Sequence, residues 1–218
     1  MAETPQPLPR TLWFGMALVF LLLGLAYLLS FAEMGDTHKS LLPVLNQVAD
    51  FALTNQDGQL VTLADLTNHV WVADIIFTRC AASCPIMSRQ MQSLQGALPP
   101  DSTATLVSLT TDPDYDTPVI LQRYGNHYGA NFNRWMFLTG TKPQLAGLAA
   151  SSLKLGSTPV APADQKSPVD LFIHSTIFVA VDKHARLRGI FETEGDGIDW
   201  TNVQPRIVET VHQLEREP

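Results

Sequence analysis

The sequence predicts an α/β domain, a mixed β-sheet with helices on both faces, preceded by one N-terminal transmembrane helix. Three observations carry this. From Thr11 to Ala32 the text TLWFGMALVFLLLGLAYLLSFA has no charged residue, and about 20 apolar residues suffice to cross a core of roughly 30 Å as a helix. Beyond it, apolar strand-like runs alternate with stretches of helical periodicity. The chain then closes on a hairpin and a last amphipathic helix.

Composition agrees with one domain of ordinary size. The 218 residues are 45% hydrophobic, enough for a single good core. A net charge of −7 excludes a sequence-independent nucleic-acid binder. Two cysteines are too few for a disulfide scaffold.

Arg10 precedes the apolar span, and Glu33 and Asp36 follow it. The positive-inside rule therefore puts residues 1–10 in the cytoplasm, residues 11–32 in the inner (cytoplasmic) membrane, and the rest on the periplasmic or extracytoplasmic side. Ser30-Phe31-Ala32 has the spacing of a cleavage site, but the span exceeds the 7–15 or so apolar residues usual in a signal peptide. A linker, 33–45, leads to an outer domain, 46–218. In an oxidising compartment a thiol pair tends to become a disulfide unless a metal or reductant serves it.

Within the outer domain, Phe51–Leu53 and Leu60–Thr62 flank the turn Asn55-Gln56-Asp57-Gly58 and read as a hairpin. Trp71–Phe77 is a buried strand in which Asp74 is the odd residue. A helix begins near Pro85, carries Ile86 or Met87, then Met91, Leu94 and Leu98 at helical spacing, and ends at Gly96 and Pro99-Pro100. Thr105–Leu109 is the next strand. Asp116 or Thr117 then caps a helix with Pro118 in its first turn. Arg134–Gly140 is a third strand, and Thr141 caps a helix over Pro143–Leu155. Ser151–Asp170, rich in Pro and Ser, reads as a surface loop. Strands Ser175–Val181 and Leu187–Phe191 join through Asp182–Ala185, and Asn202–Glu215 forms the last helix. This β-β-α-β-α-β-α-β-β-α order is the pattern of a thioredoxin-like domain.

TRCAASCP, Thr78 to Pro85, holds both cysteines at the junction of strand and helix. Unpaired amides and the positive end of the helix dipole favour a thiolate there, so the thiol pKa is expected to fall. A thiolate is both nucleophile and metal ligand. Three intervening residues close too small a loop for a disulfide kept only for stability, and redox couples on this scaffold usually have two. At i and i+4 both sulfurs can face one point, which suits Cu(I). A peroxidase is also conceivable, with Thr78 and Arg79 beside Cys80, but the T-x-C spacing and the second cysteine weigh against it. A two-sulfur site wants a third ligand. Of the six histidines, His38, His69, His127, His184 and His212 fall in linker, loops or helices. His174 directly precedes a strand that a thioredoxin-like sheet places beside the cysteine loop.

FTRCAASCP, then SLTTDPDYDTP, then WMFLTG, then a histidine before a strand resemble, in that order, the Sco/SenC proteins. The similarity runs from about Phe51 to the last helix. The resemblance implies a membrane-tethered, thioredoxin-fold copper chaperone for cytochrome c oxidase, with Cys80, Cys84 and His174 holding a copper ion. The ion would pass to the dinuclear copper centre on oxidase subunit II, with a thiol reductant or another copper carrier as further partners. Asp112, with Pro113, matches the family's D-P element behind the metal loop. Two positions depart from the family pattern: Ala81 stands where proline commonly follows the first cysteine, and Ile173 stands where an acidic residue usually precedes the histidine. The resemblance implies a carrier rather than an enzyme. The alternative is a membrane-anchored thiol–disulfide oxidoreductase that reduces the cysteines of the oxidase copper site, needing Cys80 and Cys84 but not His174.

Overall fold

The computed structural model describes Met16 and residues 19–25, 42–159 and 172–217. The chain separates into two units, residues 1–41 and 42–218. In the first, the described residues are helical and exposed. Most of the predicted span over 11–32 lies outside the described residues, and among those described no helix is long and apolar enough to cross a membrane.

The second unit is built on an eight-stranded sheet in the order β1-β10-β9-β4-β5-β6-β2-β3. The strands are β1 (Asn46–Gln47), β2 (Ala52–Asn55), β3 (Leu60–Thr62), β4 (Trp71–Ile76), β5 (Thr105–Thr110), β6 (Trp135–Thr139), β9 (Ile177–Val181) and β10 (Arg186–Glu192). The central strands β4, β5 and β6 run parallel; β9 and β2 flank them antiparallel, and β10, β1 and β3 extend the two edges through further antiparallel pairings. The expected mixed sheet is present. A separate ribbon pairs β7 (Ser157–Pro159) with β8 (Phe172–His174).

Side chains alternate across the pleat, as the period of two requires. Val72 and Ile76 of β4 and Phe178 of β9 face one core cluster, with Met87, Met91 and Leu94 of α2 (Ser83–Ala97), Leu121 of α3 (Pro118–His127), and Val203, Ile207, Val211 and Leu214 of α5 (Trp200–Arg216). Trp71, Ala73 and Ile75 face the other cluster, beneath α1 (Leu63–Leu66) and α4 (Lys142–Ala146). Each Val, Leu, Ile, Phe or Met among these, fully buried, is worth roughly 1.5–3 kcal/mol. Gly125 is a glycine because a Cβ there would come within 2.6 Å of Phe132 and 2.8 Å of Phe137.

Several boundaries differ from expectation for physical reasons. Helix α2 begins at Ser83, two residues before the predicted start, and Pro85 still falls in the first turn, where its missing N–H costs nothing. Thr117, not Asp116, is the cap residue of α3. Thr141 caps α4 through a reciprocal exchange with Gln144, and the helix then widens into a π-helical turn over Gly147–Ser152. The predicted loop contains β7, and the ribbon it forms is extended at its base by the Ser175 amide donating to the Gly156 carbonyl at 2.8 Å.

Candidate metal centre at the end of the parallel strands

Strand β4 ends at Ile76, and the chain turns at once. The Cys80 amide donates to the Phe77 carbonyl at 3.1 Å, closing a turn with Thr78 and Arg79 at its centre. Helix α2 starts three residues after Cys80, and its cap position is Ala82, which offers no side-chain oxygen to the first-turn amides. Cys84 therefore sits inside the helix and is fully buried beside Met87 and Met91, whereas Cys80 precedes the helix and is half-buried. The two are not joined in a disulfide.

Their sulfurs are in contact. A hydrogen bond with Cys80 pushes the Cys84 thiol far above its ordinary value; burial and the charges of Cys80 and Asp74 push the same way, and the Phe77 backbone opposes them. The expected fall in pKa at the helix N-terminus is corrected for Cys84: a neighbouring sulfur and a dry site outweigh the dipole.

Both central residues of the turn are gripped by the loop between β5 and α3. The buried Asp116 carboxylate accepts from the Thr78 amide at 3.1 Å, from the Thr78 hydroxyl, and from the Thr110 hydroxyl at 2.5 Å. Burial raises the pKa of this carboxyl, against the pull of those donors. Asp112 accepts from Arg79 Nη2 at 2.5 Å and from Nε at 3.2 Å. The Arg79 guanidinium also lies over the Tyr115 ring, 4.3 Å from its centroid. Asp112, which the family resemblance places near the cysteine loop, is the partner of Arg79, and Asp116, expected only as a helix cap, holds Thr78.

Beneath the cysteines the core is polar. Asp74 is fully buried on the α2 side of β4, and its charge adds to the upward push on both Cys84 and Tyr124. Tyr124 and Ser88 share a hydrogen bond of 2.7 Å, and the Trp135 indole donates to Ser108 at 3.0 Å.

His174 is paired with Ser157 in the ribbon, three residues before β9 begins. Strand β9 starts at the edge of the sheet where β4 ends, since the two run antiparallel. The side chain of His174 lies outside what the structure describes, as does His38. His69 and His184 fall at the opposite edge, before β4 and in the β9–β10 turn. His127 ends α3 against Tyr128, and His212 lies on α5. Among the described residues no group of three or more His, Cys, Asp or Glu is placed to hold a metal, so the described donors are the two sulfurs.

A dithiol at the carboxyl ends of parallel strands, on a mixed sheet sandwiched by helices, defines a thioredoxin-like thiol or metal-handling domain. The chain belongs to the SCO1/SenC family, whose model matches residues 42–208. It is 32% identical over 181 residues to the SCO1 protein homolog of Bacillus subtilis, covering 80% of this chain and 90% of that one. BsSco, described as a member of the Sco family of cytochrome c oxidase assembly proteins with a disulfide switch, superposes with a TM-score of 0.66 at 26% identity over 81% of this chain and 99% of its own. Bradyrhizobium japonicum ScoI, solved with copper bound, shares the fold at a TM-score of 0.63 and 18% identity, over 77% of this chain and 99% of its own.

Proposed function

We infer that this chain is a copper metallochaperone, its copper ion held by Cys80, Cys84 and His174 and delivered to the dinuclear copper centre on cytochrome c oxidase subunit II. The observation that carries it is the contact between two sulfurs, one half-buried and one fully buried, at a helix start without a side-chain cap. Two soft donors at one point suit Cu(I), and a neutral imidazole would complete a three-coordinate set. Family membership and the copper found in ScoI support the reading. Copper is cargo here: binding displaces the Cys84 proton, and release proceeds as a partner's thiolates replace these sulfurs one at a time. Residues 11–32 anchor the carrier in the inner membrane with 33–218 on the periplasmic or extracytoplasmic side, a placement supported by the uncharged span and Arg10. Asp112 supports the site through Arg79.

A second reading has an observation in its favour. The same sulfur contact is what a thiol–disulfide exchange couple needs, and BsSco is described by a disulfide switch. In that reading the chain reduces the cysteines of the oxidase copper site and does not need His174.

The experiment is a Cu(I) titration of the reduced, detergent-solubilised full chain against a competing chelator. The wild-type protein takes up one Cu(I), and His174→Ala binds it more weakly while disulfide reduction continues. Equal affinities in the two proteins remove His174 from the site. A readily reversible Cys80–Cys84 potential without copper uptake selects the oxidoreductase.

A further inference from the structure

The turn that carries Cys80 is not fixed by its own helix. It precedes α2, and its cap residue is an alanine. What holds it comes from across the sheet edge, and the deeper of the two grips is Asp116. This carboxylate is fully buried, 38 positions from Thr78 in sequence, and sits where the parallel neighbours β4 and β5 diverge. One oxygen takes the Thr78 hydroxyl, and the other takes the Thr78 amide and the Thr110 hydroxyl. Thr110 is committed in turn, since its hydroxyl accepts the Asp112 amide at 3.0 Å. Asp116 is itself fixed, its amide donating to the Asp112 carbonyl at 2.8 Å. Every donor around the carboxylate is therefore matched, and the lattice ends two residues from the first sulfur.

The geometry points to Asp116 as the positioning residue of the cysteine site: it holds Thr78, and through the Phe77–Cys80 turn it sets where the Cys80 sulfur stands relative to Cys84. The assignment rests on the reading of Cys80 and Cys84 as the copper or redox pair and adds the residue that spaces them. A carboxylate kept only for stability would be an expensive choice, because burying it costs several kcal/mol before its partners repay it. Phe77 anchors the start of the turn in the core, whereas Thr78, Arg79 and Cys80 beyond it are partly or largely exposed and depend on polar grips for their position. Groups that orient ligands from behind typically change metal affinity about 10–100-fold when removed.

The test uses the reduced full chain with Cu(I) as probe, comparing wild type, Asp116→Asn, Thr78→Val and Thr78→Ser. Asp116→Asn and Thr78→Val should each lose about tenfold or more in Cu(I) affinity while their circular dichroism stays that of the folded protein. Thr78→Ser keeps the hydroxyl and should bind within about twofold of wild type. If Asp116→Asn fails to fold, the Thr78→Val and Thr78→Ser pair decides alone. Folded variants that bind Cu(I) as wild type does overturn the assignment. If the wild-type protein takes up no Cu(I), the carrier reading falls, and positioning is then read from the Cys80–Cys84 couple. There a tenfold shift in the dithiol–disulfide equilibrium, about 30 mV, is expected in Thr78→Val and not in Thr78→Ser. An unshifted couple overturns positioning as well.

Discussion

The two edges of the parallel strands carry two ion-pair systems of opposite construction. At the cysteine edge, Arg79 pairs with Asp112 while its own side chain remains 37% exposed, and the bond restrains a turn. At the far edge, Arg188 is buried. It donates to Asp182 at 2.6 Å, to Glu217 at 2.7 Å and to the Leu42 carbonyl at 3.0 Å, so it joins the β9–β10 turn, the residue after α5 and the first residue of the second unit. The buried junction holds the fold together; the half-exposed one leaves its reactive neighbour within reach of solvent. The charges stand at similar separations in both, and what differs is how much water each has lost and therefore how strongly they attract.

Arg188→Ala tests the strong side of that contrast. It leaves Glu217 and the Leu42 carbonyl without this donor and Asp182 with only Arg186 and two backbone amides, and should cost about 3–5 kcal/mol in urea unfolding. A loss below 1 kcal/mol would erase the distinction between the edges. The cysteine edge is sharpened by alkali. The Cys84 pKa is raised above the ordinary 9.0, so above that pH the unfolded chain gives up a proton that the folded chain keeps. Stability is then fully present below about pH 9 and falls as pH rises, by up to about 1.4 kcal/mol per pH unit. Unfolding curves from pH 8 to 10 measure this, and Cys84→Ser should remove that part of the slope. Arg79→Ala should have the smallest effect, under about 1 kcal/mol of stability. A loss as large as that of Arg188→Ala would mean the exposed pair is also a fastening of the fold.

Much of this architecture was legible. Trp71–Ile76 announces itself as a strand buried on both faces, and the Met87, Met91 and Leu94 stripe announces the helix over it. The cysteine site could be placed because its two sulfurs lie at the junction of those elements. Arg188 could not be found the same way. A register shift between Leu187 and Gly189 puts it at a bulge, so Leu187 and Arg188 are both buried in succession, against the alternation a strand pattern assumes. Asp116 was hidden for a different reason: the residue before a Thr-Pro helix start imitates a cap, and only the tertiary fold brings Thr78 to it. The ribbon escaped notice because β7 has three residues and lies within a stretch rich in Pro and Ser. The upward shift at Cys84 required knowing which sulfur is indoors.

That last asymmetry governs traffic. Cys84 has no exposed surface, and Cys80 has some. Under the proposed thiol exchange, an incoming sulfur would therefore meet Cys80 first, and Cys84 would be reached only through its neighbour.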